Sequence, residues 1–282
     1  MISDYHIAIP STLHQLPILL SLCYEHKDVK KPLIIFSHGF KGFKDWGYFP
    51  LSAHWFAQKG FAHIRFNYSH NGTSYEHPCE FDRLDNFGNN NFSIELNDLD
   101  DVINWAEENS HKYNFDLDNI YLIGHSRGGG ISIIKANEDK RIKKLITWGS
   151  VADFESRMVV DGFDEWKKKK VTYIPNSRTN QQMPLYFQFY EDYKSNEKRL
   201  IIKKAAKNLK IPYLIIHGIY DETVAVNEAN ALHHWTKDSR LCLLENADHT
   251  FNATHPYNAN TLSDLLVKKL NICFDFFTDK QL

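Results

Sequence analysis

NIYLIGHSRGGGIS, residues Asn119 to Ser132, opens as an apolar run and closes in glycines, with one serine at the crossover. An apolar run of four to eight residues suits a strand covered on both faces, and the stretch after it reads as a helix start. A strand that turns directly into a helix leaves the residue at the junction in a strained conformation. Side chains two positions before and after it would collide with neighbouring chain. Glycine stands at both places, Gly124 and Gly128, around Ser126. The pattern G-x-S-x-G lifts a hydroxyl above the sheet edge, with a helix N-terminus beneath it to favour developing negative charge.

Working outward, strand-length apolar runs recur along the chain. YHIAIP and PILLSLCYE follow each other with no helix between them and read as an opening antiparallel pair. PLIIFSHG, FAHIRFNY, NIYLIGHS, KLITWGS, PYLIIHG and RLCLLEN come next. Several are continuously apolar, as in a parallel sheet buried on both faces. Helical periodicity fills the intervals. Leu99, Val102, Ile103 and Ala106 share one face after cap candidates in NNNFS, Pro50 opens a helix that Gly60 closes, and Leu262, Leu265, Leu266, Leu270, Phe274 and Phe277 mark a final amphipathic helix. The alternation predicts one doubly wound α/β domain with an eight-stranded, mostly parallel sheet and helices on both faces.

One interval is too long for a single crossover helix. Residues 153–210 include VTYIPNSRTNQQMPLYFQFYEDY, rich in aromatics and interrupted by Pro175 and Pro184. Long connections of this kind are often lids or binding loops. The expected organisation is a core of residues 1–152 and 211–282 with 153–210 inserted as a cap. Two helices and a hairpin with no substrate role are the plainer alternative. Tyr186, Phe187, Phe189, Tyr190 and Tyr193 fit either a pocket wall or a small core.

Composition narrows the function. The 282 residues are 43% hydrophobic with a formal net charge of -2, which fits a folded chain with no general attraction to nucleic acid or anionic membranes. The basic run Lys167 to Lys170 reads as a solvated helix end. MISDYHIAIP has neither a basic n-region nor an apolar h-segment, and no apolar stretch approaches the roughly 18 residues of a membrane helix. Cys23, Cys79, Cys242 and Cys273 are scattered without CxxC spacing, as reduced thiols would be. A cytoplasmic enzyme or binding protein is expected.

A serine hydroxyl needs a base, and the base needs an orienting acid. In a strand–elbow–helix setting these follow in the order acid, then histidine. Asp221 stands just beyond PYLIIHG, and His249 just beyond RLCLLEN. Asp153 after KLITWGS is a rival acid, Glu222 is adjacent to Asp221, and His255 is a more distant rival base. His38-Gly39 follows the third run, so the backbone N–H groups of Phe40 and Arg127 are the candidates to hold an oxyanion. The Arg127 side chain either reaches a substrate carboxylate or packs against that loop. His125 is expected to pack behind the elbow. His233-His234 lacks a matching i+4 ligand, and His77 with Cys79 lacks further ligands, so no metal is expected. No G-x-G-x-x-G and no P-loop lysine accompany the glycines.

With these residues in place, the chain resembles the α/β-hydrolases along nearly its whole length. SHGF after the third run, the elbow at Ser126, and the insertion between the sixth and seventh runs resemble most the feruloyl/cinnamoyl esterase-like group. That group borders on dienelactone hydrolases and prolyl oligopeptidase-type catalytic domains. Dienelactone hydrolases proper use cysteine where this elbow carries serine. The resemblance implies a cofactor-free serine hydrolase acting on a small-molecule ester with a Ser126–His249–Asp221 triad. An oligopeptidase-type peptidase, with Glu155, Arg157 or Arg178 anchoring a peptide terminus, is the alternative within enzymes. A non-catalytic binding protein on the same fold is the alternative outside them.

Overall fold

The computed structural model describes residues 1–158 and 161–280. Among the described residues ten strands form: β1 (Ile2–Ile9), β2 (Ile18–Glu25), β3 (Lys31–Ser37), β4 (Ala62–Asn67), β5 (Phe115–His125), β6 (Ile142–Trp148), β7 (Val171–Asn176), β8 (Gln181–Tyr186), β9 (Tyr213–Gly218) and β10 (Ser239–Leu244). Eight make one sheet in the order β1-β2-β4-β3-β5-β6-β9-β10, and β7 with β8 makes a separate hairpin. β1, β2 and β4 pair antiparallel, and β4 onward is parallel, as expected.

The apolar runs are continuous because successive side chains point to opposite faces and both faces are covered. Leu33, Ile35, Ile120, Leu122, Leu145, Tyr213 and Ile215 enter one core. Their neighbours Ile34, Phe36, Tyr121, Ile123, Ile146, Leu214 and Ile216 enter the other. The first core is closed by helices Phe92–Glu108, Arg127–Glu138 and Val226–Trp235, the second by Phe49–Gln58 and Asp264–Phe277. Asn91 caps the Phe92–Glu108 helix, its side chain accepting from Ile94 N at 2.9 Å. The last helix starts at Asp264, two residues later than its apolar periodicity suggests, because the Ser263 side chain caps it.

Register aligns the carboxyl ends of the parallel strands. Ser37 of β3 lies opposite Gly124 of β5, His125 opposite Trp148 of β6, and Trp148 opposite Ile216 of β9. The loops leaving these ends therefore gather above the middle of the sheet, where α/β folds bind ligands.

Residues 153–210 contain helices Phe163–Lys169, Gln188–Leu200 and Ile202–Asn208 around the β7–β8 hairpin. The two prolines are tolerated because each hairpin strand has a free edge: Tyr173 faces Pro184 and Pro175 faces Gln182. Phe92 stacks on Phe154 at 4.0 Å and Trp166 donates to the Leu185 carbonyl at 2.8 Å. The aromatics of this segment serve mainly as core. Of the five named above, Phe187, Phe189 and Tyr193 join the first sheet core, and only Phe189 also faces the cavity described next.

Candidate active site

Ser126 sits between the last residue of β5 and the first of helix Arg127–Glu138, with φ 57° and ψ −122°. That region costs an L-residue about 1–3 kcal/mol, so the surroundings must impose it. They do so by close approach. A Cβ on Gly124 would lie 2.4 Å from the Gly128 carbonyl oxygen, and one on Gly128 would lie 2.3 Å from that of His38. Ser126 N–H donates to the Trp148 carbonyl at 3.0 Å, which ties the elbow to β6. Among the described residues the Ser126 hydroxyl has no hydrogen-bond partner.

His249 and Asp221 meet. His249 Nδ1–H donates to Asp221 Oδ2 at 2.7 Å, which leaves Nε2 as the proton acceptor. The other carboxylate oxygen takes the Thr223 and Val224 backbone N–H groups at 2.9 and 2.8 Å. Burial raises the Asp221 carboxyl, but hydrogen bonds from His217 and His249 outweigh it and hold the group well below the usual carboxylate range. His217, fully buried, shares its Nε2–H between the Val224 carbonyl at 2.8 Å and Asp221 Oδ2 at 3.3 Å. This second imidazole was absent from the sequence reading, although its place four residues before Asp221 on an apolar strand was visible.

The rivals are engaged elsewhere. The Asp153 carboxylate is exposed and accepts from Ser156 N at 2.7 Å. His255 Nδ1 accepts the Gly47 N–H at 3.0 Å. His125 does more than pack behind the elbow: it borders the cavity and donates Nε2–H to the His249 carbonyl at 3.0 Å. Burial and neighbouring His249 bring its imidazole down to about 3, so it stays a neutral strut. Gly149 was likewise unmarked. With φ +52°, it passes so close that a Cβ would lie 3.1 Å from Asp221 Oδ2 and 3.3 Å from His249 Nδ1.

The β3 loop completes the arrangement. A Cβ on Gly39 would approach Ser126 Cβ to 2.8 Å. Among the described residues the backbone N–H groups of Phe40 and Arg127 donate to no acceptor. The Arg127 guanidinium takes the packing alternative: it lies 3.8 Å above the Phe40 ring and faces Glu95 at 3.4 Å. Burial lowers its tendency to hold its proton and raises the Glu95 carboxyl, each effect opposed by the other's charge. Glu95, a residue of helix Phe92–Glu108, carried no sequence mark because the contact joins distant segments.

Ser126, His249 and Phe40 border one cavity of about 950 Å³ whose apolar wall includes Phe92, Val151, Phe154, Leu185 and Phe189. Among the described residues no group of three or more His, Cys, Asp or Glu side chains is arranged to hold a metal. Nor, among them, is any helix long and apolar enough to cross a membrane.

The BD-FAE family pattern matches residues 23–236, which spans β2 to the end of helix Val226–Trp235. The chain belongs to the BD-FAE family. That places it among the α/β-hydrolases, in an esterase-like family. Among solved structures, Est1E from Butyrivibrio proteoclasticus with ferulic acid bound superposes with a TM-score of 0.70 at 19% identity, covering 94% of this chain and 96% of that one. A dienelactone hydrolase from Anabaena variabilis gives a TM-score of 0.63 at 15% identity, covering 100% and 99%. At such identities the likeness is one of fold. An uncharacterized 31.7 kDa protein of the traX-finO intergenic region of Escherichia coli is 34% identical over 136 residues, 48% of this chain. The match spans only 43% of that relative's length.

Proposed function

We propose that this chain is a serine carboxylic-ester hydrolase working through an acyl-enzyme on small to medium acyl or aromatic esters. The observation that carries the reading is the His249–Asp221 hydrogen bond, made beside the cavity that Ser126 borders, with two undonated backbone N–H groups next to the serine. Ser126 Oγ attacks the ester carbonyl while His249 Nε2 takes its proton. Asp221 fixes the tautomer and balances the imidazolium. The Phe40 and Arg127 N–H groups receive the carbonyl oxygen as it becomes negative, donors worth about 10²–10³ each in turnover. The tetrahedral adduct collapses, the C–O bond to the alcohol breaks, and His249 returns its proton to the leaving oxygen. Water then adds to the acyl-enzyme by the same proton route and releases the acid.

Residues 153–210 act in this reading as a cap, since Ile174, Leu185 and Phe189 roof the cavity. Of the three groups that the peptidase alternative would use, Arg157 is held by Glu228 and the Thr223 carbonyl and Glu155 by Lys194, which leaves Arg178 alone on the cavity for that role.

The test is covalent labelling with a fluorophosphonate, wild type beside Ser126→Ala. Wild type labels, and the variant keeps its fold but loses labelling and several orders of magnitude of ester turnover. Ester hydrolysis near the wild-type rate in folded Ser126→Ala refutes the assignment.

A further inference from the structure

The wall formed by the tip of the β7–β8 hairpin is chemically one-sided. Asn176, at the end of β7, borders the cavity, is only 2% exposed, and its Nδ2 is buried with no hydrogen-bond partner. Two residues on, Arg178 borders the same cavity, its guanidinium 5.7 Å from the Trp46 ring and one nitrogen donating to the Lys41 carbonyl. Lys41 returns the contact, its ammonium donating to the Pro175 carbonyl at 3.1 Å. Among the described residues neither cation pairs with a carboxylate. Burial and the nearby guanidinium groups of Arg178 and Arg127 lower the Lys41 ammonium. His255, also on the cavity, accepts the Gly47 N–H at Nδ1 and so carries its own proton on Nε2.

This corner therefore presents donors and no acceptor with negative charge. The carboxylates on the cavity, Glu222 and Asp248, belong to the loops of Asp221 and His249 instead. Asp248 is also committed to the N–H groups of Thr250 and Asn252. A buried donor without an acceptor is unfavourable, and half-buried Lys41 and exposed Arg178 lie beside it with no counter-charge. A carboxylate, with two oxygens and about four lone-pair directions, relieves all of them at once and suits a guanidinium fork.

We propose that the hairpin tip is a receptor for a carboxylate on the substrate, so that the preferred esters carry one negative charge beyond the scissile bond, with Arg178, Lys41 and Asn176 as the recognising groups. The turnover test rests on the ester-hydrolase reading, and a binding test keeps the two separable. The charge sits either on the acid half or on the alcohol half of the ester, and paired substrates tell which.

kcat/KM is measured for monoethyl adipate against ethyl hexanoate and for 4-acetoxybenzoate against its methyl ester. In at least one pair the charged member is favoured about tenfold or more, as expected for a hydrogen bond between charged groups. Arg178→Gln brings that ratio toward one and Arg178→Lys retains part of it. Loss of rate for both members with the ratio kept makes Arg178 a mere clasp of the hairpin and overturns the proposal. Ratios at or below one in both pairs, with neutral esters turned over, overturn it while the ester-hydrolase reading stands. Should wild type turn over no ester, calorimetric titration of Ser126→Ala with both pairs decides. About tenfold tighter binding of a charged member supports the receptor, and equal binding refutes it.

Discussion

Gly149→Ala replaces none of the proposed catalytic side chains and separates geometry from chemistry. Gly149 follows β6 with φ +52°, and its N–H is anchored to the Ile216 carbonyl at 2.9 Å, so the backbone cannot retreat. The left-handed conformation costs an alanine about 1–2 kcal/mol. Its methyl group would stand 3.1 Å from Asp221 Oδ2 and 3.3 Å from His249 Nδ1. Asp221 is held by two backbone N–H groups and by His217, so the imidazole is the part that gives way. Misplacement by 1 Å typically costs about 10² in rate, so a shift of a few tenths of an ångström predicts about a tenfold fall in kcat/KM. Gly60→Ala is the control: Gly60 has φ +91°, but a Cβ there meets nothing within 4 Å. Both variants should lose stability in a urea titration, and only Gly149→Ala should label more slowly with a fluorophosphonate. Wild-type labelling by Gly149→Ala, at the stability loss of the control, would refute the argument that this contact sets the reactivity of Ser126.

Two further outcomes follow from buried histidine and lysine. His217→Leu removes a donor that holds the Asp221 carboxyl low. A carboxyl depressed on folding stabilises the protein above its unfolded value and loses that contribution as pH falls through its folded value. The variant should therefore be about 1 kcal/mol less stable at pH 7 and lose less between pH 7 and pH 3, with turnover also reduced; an unchanged acid-unfolding profile counts against the contact. Lys269 is fully buried among the rings of Trp148, Phe251 and Tyr48, and burial drives its ammonium well below the usual range. Between the lowered folded value and the ordinary one, the unfolded chain binds a proton that the folded one does not, so wild-type stability should rise as pH climbs toward 10. Lys269→Met should flatten that rise and gain about 1–3 kcal/mol at pH 7, whereas a loss of stability at every pH would mean that the rings hold a cation.

Sequence alone determined the sheet and the elbow, because both depend on neighbours in the chain. Continuous apolar runs demand cover on both faces, and Gly124 and Gly128 mark the two places where a Cβ has no room. The order of acid and histidine after Ser126 could also be read from strand succession. What lay beyond it were relations between segments far apart in the chain. Asp153 and Asp221 both follow strands that end beside one another, since β6 neighbours β9; the Thr223 and Val224 amides and His217 distinguish them only once the loops are folded. Arg127 could serve a substrate or the loop until Phe40 and Glu95 came to lie on either side of it. Asn176 and Arg178 look like ordinary turn residues, and only tertiary contact brings them to Lys41 and the cavity. Local sterics are written in consecutive residues, whereas an unpaired charge or an unsatisfied amide is defined by what the fold puts next to it.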